Sequence, residues 1–264
     1  IQLQLIMMIL KVEPQYQYPA LPTGCEVTAI SMLLQYCCSN FINNNNNNNK
    51  NNKETILSLA SSSDDDDLIP VGGNPYRSFV GQPTSTQSFG MFHTPSYKLI
   101  TDLLQHHAID SYFTCINLTT QCNSTQSSSL LNNGYPLQLN ESKDYINARL
   151  NHFKDCDDND NINNDDDVKL LIDHIDKHKI PIVIWMTLEL REPSITDTWR
   201  DVNVLDNFIH WVTPEHCALL VGYTDNEYII NDPHTGKVEH YNKHLFIKRW
   251  RQMGRQAVTI IPTT

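Results

Sequence analysis

The chain has 264 residues, 40% of them hydrophobic, which suffices for one large domain or two small ones with a real core. Its formal net charge is −11, from 30 acidic and 19 basic residues. Eleven aspartates lie in two runs, Asp64–Asp67 and Asp155–Asp167, and without them the acidic and basic residues balance at 19 each. This balance gives no indication of a nucleic-acid partner, and the acidic runs are typical of solvated loops.

No apolar run in the sequence approaches the length of a membrane-spanning helix. The first ten residues are apolar only from Leu5 to Leu10, which is shorter than the core of a signal peptide. Because the first residue is isoleucine, we expect a processed or truncated N-terminus. These features leave the cellular compartment open.

Three low-complexity segments interrupt the chain, at Asn43–Asn52, Ser61–Asp67 and Asp155–Asp167. They have few apolar residues to bury, so we expect them to be disordered. The entropy cost of closing a loop grows slowly with its length, which makes long surface insertions inexpensive. We therefore predict a single domain over residues 12–261 with insertions at about 43–53, 61–67 and 155–167.

The segments between these insertions carry clear helix and strand patterns, whereas residues 115–150 are the least informative. Apolar residues at helical spacing predict helices over Cys25–Tyr36, Tyr97–Gln105 and Val168–His178. Short apolar runs predict strands over Ile180–Thr187, Cys217–Tyr223, Glu227–Asn231 and Ala257–Ile261. Early helices followed by an antiparallel sheet indicate an α+β fold.

Cys25 opens the first predicted helix, directly after Gly24. A helix N-terminus stabilises a thiolate through its free N–H groups and its dipole, and only a thiolate is a good nucleophile. The glycine would leave the sulfur approachable. The alternative is a small buried residue packed under the helix, as cysteine often is.

His216 and Asp232 offer a base and an orienting carboxylate on two predicted neighbouring strands. If the turn is the three residues Thr224–Asn226, Tyr223 pairs with Glu227 and the two side chains become diagonal neighbours ~7 Å apart at the backbone. A two-residue turn would place them on opposite faces. The alternatives are a strand-end histidine and an ordinary Asn-Asp-Pro turn.

Asn231 is the neighbouring alternative for the orienting role. Papain-like enzymes have this chain order: a cysteine comes first, a distant histidine follows, and an Asn or Asp comes last.

Five separate stretches of the chain resemble one family. They are QYPALPTGCEVTAISMLL, GNPYRSFVGQP, FGMFHTPS, WVTPEHCALLVGYTDNEYIINDPHTGK and RQMGRQAV. Together they resemble the C-39-like cysteine peptidases, papain-like proteins related to the leader peptidases of bacteriocin exporters. The resemblance runs from Val12 to Ile261, apart from the low-complexity insertions and much of 110–165.

The resemblance implies a papain-like α+β fold in which the nucleophile helix packs on an antiparallel sheet. It implies that Cys25 is the nucleophile, His216 the general base and Asp232 the orienting residue. Gln17, eight residues before Cys25, matches the glutamine that donates to the oxyanion. Since this spacing is longer than in papain-like enzymes generally, the alternative is that Gln17, like Gln15, lies on an exposed turn.

The implied function is hydrolysis of peptide bonds in a peptide or protein substrate through a thioester, without a metal or organic cofactor. Three alternatives remain: a binding module that kept the fold without activity, a transamidating acyl transferase, and a metal site. A metal site built from Cys25, His216 and Asp232 is disfavoured because the spacing is not that of ligands and Gln17 would have no role. The double-glycine specificity of the leader peptidases does not transfer, because the sequence has neither a membrane span nor a nucleotide-binding motif.

Two motifs without triad residues, GNPYRSFVGQP and FGMFHTPS, either line the substrate cleft or form structural turns. We interpret His93 as structural. Trp199 and Trp211 are expected in the core or in the cleft wall. The seven cysteines are an odd number, so at least one is free, and CxxC spacing is absent.

Overall fold

A computed structural model describes residues 7–45, 71–119, 121, 142–153 and 165–263 of the chain. Among these residues, five α-helices and ten strands are assigned, together with a short 3₁₀ turn at Leu188–Leu190. The helices are α1 (Cys25–Asn45), α2 (His93–His106), α3 (Lys143–His152), α4 (Asp166–His178) and α5 (Lys243–Gln252). The predicted helices therefore exist, and each is longer than the sequence pattern indicated.

The strands fall into two sheets. They are β1 (Met8–Ile9), β2 (Val71–Gly72), β3 (Phe113–Asn117), β4 (Ile182–Thr187), β5 (Ser194–Asp201), β6 (Val204–Thr213), β7 (Glu215–Tyr223), β8 (Glu227–Asp232), β9 (Lys237–Asn242) and β10 (Ala257–Pro262). The larger sheet has the order β3-β10-β4-β7-β8-β9, with β1 added beside β7, and its neighbours pair antiparallel. The smaller sheet has the order β2-β5-β6. The α+β class predicted from the sequence is confirmed.

Helix α1 is the centre of the core. It packs against β7, β4 and α2, and its predicted apolar residues Val27, Ile30 and Leu33 are fully buried. Ala29 and Met32, which lie outside the apolar stripe that Val27, Ile30 and Leu33 form at helical spacing, are buried as well. A helix that is buried all round has apolar residues on every side, which explains why the pattern is not a single stripe.

At its turn, the β7–β8 hairpin has a different register from the one predicted. The predicted pairing of Tyr223 with Glu227 is wrong, because Tyr223 pairs with Tyr228. The turn is closed by Thr224, whose backbone N–H donates to the Glu227 carbonyl at 2.8 Å and whose hydroxyl accepts from the Glu227 N–H at 3.0 Å. This side chain–backbone contact lengthens the turn by one residue.

A bulge at Val221 removes that shift farther along the hairpin. Beyond it, Leu219 pairs with Asn231, which is the alignment that a three-residue turn would have given. A β-bulge places one extra residue on a single strand. The far end of the hairpin therefore has the alignment that the sequence analysis expected, although the turn does not.

The low-complexity segments are only partly among the described residues. Asn43–Asn45 form the last turn of α1, so the predicted disorder is wrong for these three residues. Asp165–Asp167 begin α4, and Asp167 is fully buried, which corrects the prediction of a solvated acidic run. The rest of the Asn run, Ser61–Asp67 and residues 155–164 lie outside the described residues.

Asp167 is buried because two arginines surround its carboxylate. Arg251 donates through Nε at 3.0 Å and Nη2 at 2.7 Å, and Arg255 donates through Nε at 2.7 Å. Burial alone would raise the pKa of Asp167, but the Arg251 hydrogen bonds and both positive charges lower it below its ordinary value. This cluster joins the start of α4 to the end of α5.

Candidate active site

Cys25 is the first residue of α1, as the sequence predicted. The Gly24 carbonyl accepts the first helical hydrogen bond, from the Thr28 N–H at 3.0 Å. A Cβ on Gly24 would lie 2.7 Å from Cβ of Leu21, so glycine is required here for close packing of the approach to the helix. Since the first N–H groups of a helix have no intrahelical partner, the Cys25 N–H is available to a ligand.

The Cys25 thiol lies deep in its surroundings, with the residue 7% exposed. Its Sγ donates to Oε2 of Glu26 at 3.4 Å. Burial, followed by the neighbouring Glu26 and Glu215 carboxyls, raises the pKa of Cys25 well above its ordinary value, while the backbone N–H of Cys217 lowers it. The contact with the Cys217 N–H places the sulfur against the start of β7, and these surroundings favour the thiol over the thiolate.

His216 and Asp232 meet where β7 begins and β8 ends, and both are buried. His216 Nε2 lies 2.7 Å from Oδ1 of Asp232. The same carboxylate accepts the backbone N–H of His234 at 2.7 Å and the Tyr241 hydroxyl at 3.2 Å. Burial opposes the charge of Asp232, but the His216 hydrogen bond holds the pKa of that carboxyl below its ordinary value.

Asn231, the alternative orienting residue, is engaged elsewhere. Its Nδ2 donates to the Val12 carbonyl at 2.9 Å, and the residue is fully buried. Because side chains alternate along a strand, Asn231 and Asp232 project to opposite faces of β8. The hydrogen bond to His216 comes from Asp232.

Gln17 is 3% exposed, so it does not lie on an exposed turn. Its backbone N–H donates to the Pro233 carbonyl and its Nε2 to the Pro22 carbonyl, each at 2.9 Å. An amide nitrogen carries two hydrogens, which leaves one for another acceptor. The nearby Gln15 instead donates to Oε1 of Gln35 at 2.7 Å.

A cleft of about 260 Å³ brings these side chains together. Its lining includes Gln17, Cys25, Phe89, Trp211, His216 and His234. The ring of Trp211 lies 5.3 Å from those of Phe89 and Phe92, stacked on Phe92 and edge-on to Phe89. One wall of the cleft is therefore aromatic, and it continues into the core.

The two motifs of uncertain role divide between the cleft and the scaffold. Phe89, the first residue of FGMFHTPS, lines the cleft. Asn74 is structural, since its Nδ2 donates to Oδ2 of Asp201 at 2.8 Å. His93 is also structural: it is buried, its Nδ1 lies 2.9 Å from Oε1 of Gln256, and burial lowers its pKa to about 4. Trp199 is buried, and its indole N–H donates to the Gly73 carbonyl at 2.8 Å.

Three titratable residues of the site were not singled out from the sequence. Glu26 follows Cys25, Glu215 precedes His216, and His234 follows Asp232 by two residues. All three fall inside the quoted motifs, so adjacency to a triad residue was the available signal. His234 lines the cleft, and its Nδ1 lies 3.1 Å from the Tyr18 hydroxyl.

Among the described residues, ligand atoms of Cys25, Glu26 and Glu215 lie within 4.8 Å of one another and could hold a metal ion. This is a different group from the Cys25, His216 and Asp232 set considered from the sequence. The five described cysteines, at positions 25, 37, 38, 115 and 217, are free thiols. In the described part of the chain, no helix is both long and apolar enough to cross a membrane.

One known protein resembles part of the chain in sequence, and one solved structure resembles nearly all of it in fold. The uncharacterized protein YvpB of Bacillus subtilis (strain 168) is 33% identical over 86 residues, which is 29% of this chain and 34% of that protein. The match thus spans about a third of the length of that relative. A crystal structure from Bacillus anthracis, of a candidate C39-like peptidase, superposes with a TM-score of 0.64 at 20% identity and covers 98% of this chain and 99% of that one.

At this identity the structural likeness concerns the fold. The family model described as "Peptidase_C39 like family" matches residues 9–153 and 145–258, which together span most of the sequence. The resemblance seen in the sequence motifs is therefore confirmed, and the chain belongs to the Peptidase_C39 like family.

Proposed function

We propose that the protein is a cysteine peptidase that hydrolyses peptide bonds through Cys25, His216 and Asp232. The observation that carries this proposal is the buried 2.7 Å contact between His216 Nε2 and Asp232 Oδ1, in the same cleft as a cysteine that opens a helix. A carboxylate bound to one ring nitrogen fixes the tautomer and orientation of an imidazole. That leaves Nδ1 of His216 to exchange a proton with the thiol.

The reaction begins with transfer of the Cys25 proton to His216. The thiolate is costly in this buried setting, but the positive imidazolium and the helix N-terminus both stabilise it. It attacks the carbonyl carbon of the substrate, and the His216 proton passes to the leaving amine. Water, deprotonated by the same imidazole, then hydrolyses the thioester.

The negative oxygen formed during attack needs donors. The Cys25 backbone N–H and the remaining N–H of Gln17 Nε2 supply them in this proposal, a contribution of about 3 kcal/mol per donor. Gln17 is held for this role by its two hydrogen bonds to the backbone of Pro22 and Pro233.

The substrate is a peptide or protein, as the family implies. The aromatic wall formed by Phe89 and Trp211 suits an apolar side chain next to the cleaved bond.

The test compares the wild type with Cys25→Ala on a library of quenched fluorescent peptides. We expect the wild type to cleave members of the library and the variant to lose at least ~10³-fold in rate, as for removal of a nucleophile. Cys217→Ala is the matched control, because Cys217 is a buried thiol next to the same histidine. Retained cleavage by Cys25→Ala would overturn the nucleophile assignment.

One observation favours a second candidate, a peptide-binding module without activity. The Cys25 thiol donates to Glu26, and burial raises its pKa, both of which favour the protonated form. Alkylation by iodoacetamide at pH 6 separates the two functions. Labelling of Cys25 faster than a free thiol of pKa about 8.5 supports the peptidase, and slower labelling supports the binding module.

A further inference from the structure

A pair of carboxyl groups lies close to the Cys25 sulfur, and the proposed mechanism does not use it. Glu26 comes from α1 and Glu215 from the first position of β7. One oxygen of each and the Cys25 Sγ lie within 4.8 Å of one another. Two carboxyl groups this close cannot both ionise easily, so the pair retains a proton.

The surroundings of Glu26 exclude water from its side chain. Its side chain is fully buried, and Oε1 accepts the backbone N–H of Met91 at 2.7 Å. Gly90 makes room for it, since a Cβ there would lie 2.2 Å from that oxygen and the backbone has a φ of +108°. Oε1 of Glu215 is buried without a hydrogen-bond partner in this state, as expected for a group that is neutral.

We propose that Glu26, paired with Glu215, is a positioning residue that holds a proton beside Cys25 and so sets the upper pH limit at which the thiolate exists. This inference rests on the proposed function, because it concerns the nucleophile of that reaction.

The thiolate population should fall as pH rises, because Glu26 becomes negatively charged. When both carboxyls are protonated the pair is neutral, and the Glu26 hydroxyl can turn and donate to the Cys25 thiolate. When Glu26 ionises, its negative charge lies 3.4 Å from the sulfur, and the thiol takes back the proton from the His216 imidazolium. The thiolate–imidazolium pair is thus replaced, as pH rises, by a neutral thiol, a neutral imidazole and the Glu26 carboxylate.

Burial raises the pKa of Glu26 to about 7 and raises that of Glu215 well above its ordinary value. The pair therefore loses its first proton near neutrality, where a change in thiolate population affects function.

Several titratable groups surround Glu26. Those that share its elements or its hydrogen bonds are Cys25 on α1, Glu215, His216 and Cys217 on β7, the Met91 N–H, and His93 at the start of α2. Burial raises the pKa of Cys217 well above its ordinary value and lowers that of His93 to about 4, so both are neutral at pH 7. A bound metal fits less well than a proton, because Glu26 is fully buried and both its oxygens already have hydrogen-bond partners.

The experiment measures the rate of iodoacetamide alkylation at Cys25 between pH 5 and 9, read by peptide mass spectrometry in EDTA. The wild type is compared with Glu26→Gln, whose amide can still accept from Met91 and donate to the sulfur. Glu13→Gln is the matched control, because Glu13 is an exposed glutamate that precedes α1. Thermal melts verify that each variant is folded.

We expect the wild-type rate to fall about tenfold between pH 6 and pH 8, because a group with a pKa of about 7 is roughly nine-tenths ionised at pH 8. The control should follow the wild type, and Glu26→Gln should show no fall. If Glu26→Gln does not fold, the wild-type profile still decides, because an ordinary thiol is labelled faster as pH rises.

Two failures can be told apart. Fast labelling at pH 6 with no fall by pH 8, or a fall that Glu26→Gln retains, would overturn the role of Glu26 and leave the peptidase proposal intact. Labelling of Cys25 at pH 6 no faster than a free thiol, in every variant, would overturn the nucleophile and this inference with it.

Discussion

Replacing Asp232 by asparagine isolates the charge that supports His216. The amide has the shape of the carboxylate: its oxygen can accept from His216 and from the His234 N–H, and its NH₂ group can donate to the Tyr241 hydroxyl. The packing is retained, and only the negative charge beside the forming imidazolium is lost.

The size of the rate loss follows from the hydrogen bond between His216 and residue 232, which is the contact that changes. A hydrogen bond to a charged group contributes about 1.5–3 kcal/mol, which corresponds to about 10- to 150-fold in rate. We expect peptide hydrolysis and Cys25 alkylation at pH 7 to fall by that factor in Asp232→Asn. The Tm should change by only a few degrees, because the three hydrogen bonds keep their geometry.

Asp225→Asn is the matched control, since Asp225 is exposed in the turn of the same hairpin. Both variants are assayed on the peptide library and by timed alkylation, with a thermal melt of each. Equal rates in the two variants would refute the argument that Asp232 supports the imidazolium. A large loss of Tm in Asp232→Asn would also refute it, by showing that the carboxylate acts through the fold.

Two further predictions concern other buried side chains. Gln17→Ala should lower kcat by about 10²- to 10³-fold with little change in KM, since it removes one oxyanion donor; equal losses through KM would contradict that role. Asp167→Asn should lower the free energy of unfolding by about 3 kcal/mol, because it removes the buried negative charge that Arg251 and Arg255 face. The pKa of Asp167 is lowered by folding, so its contribution is present above the unfolded value of about 3.9 and is lost as pH falls through the folded value. Urea unfolding from pH 7 to pH 2 should show a larger stability loss below pH 4 in the wild type than in the variant.

The sequence predicted the elements whose signals are local. Apolar spacing gave the core helix that begins at Cys25 and the buried strands on either side of His216, because burial requires apolar residues along the whole element. The strands β5 and β6 were missed, since their exposed residues, such as Leu205 and Phe208, give no clean alternation. Helix α5 was missed because its pattern is interrupted by the buried arginines Arg249 and Arg251.

The candidate site was predictable where chain order and strand pairing decide the contact. The pairing of His216 with Asp232 followed from an assumed turn, and its far-end register is correct although the turn itself is not. The bulge at Val221 made the difference. It lies beside Gly222, where β1 comes so close that a Cβ would lie 2.1 Å from the Met8 carbonyl oxygen.

By itself, the sequence determined the α+β class, the helix that begins at Cys25 and the candidate triad, because each depends on local periodicity or on a motif. Only the tertiary structure decided which charges are buried. Asp167 lies in an acidic run and Glu26 beside a cysteine, yet both carboxyls are fully buried. Whether a carboxylate is solvated, paired with arginine or kept protonated depends on groups far away in the chain, and those meet it only after the core has closed.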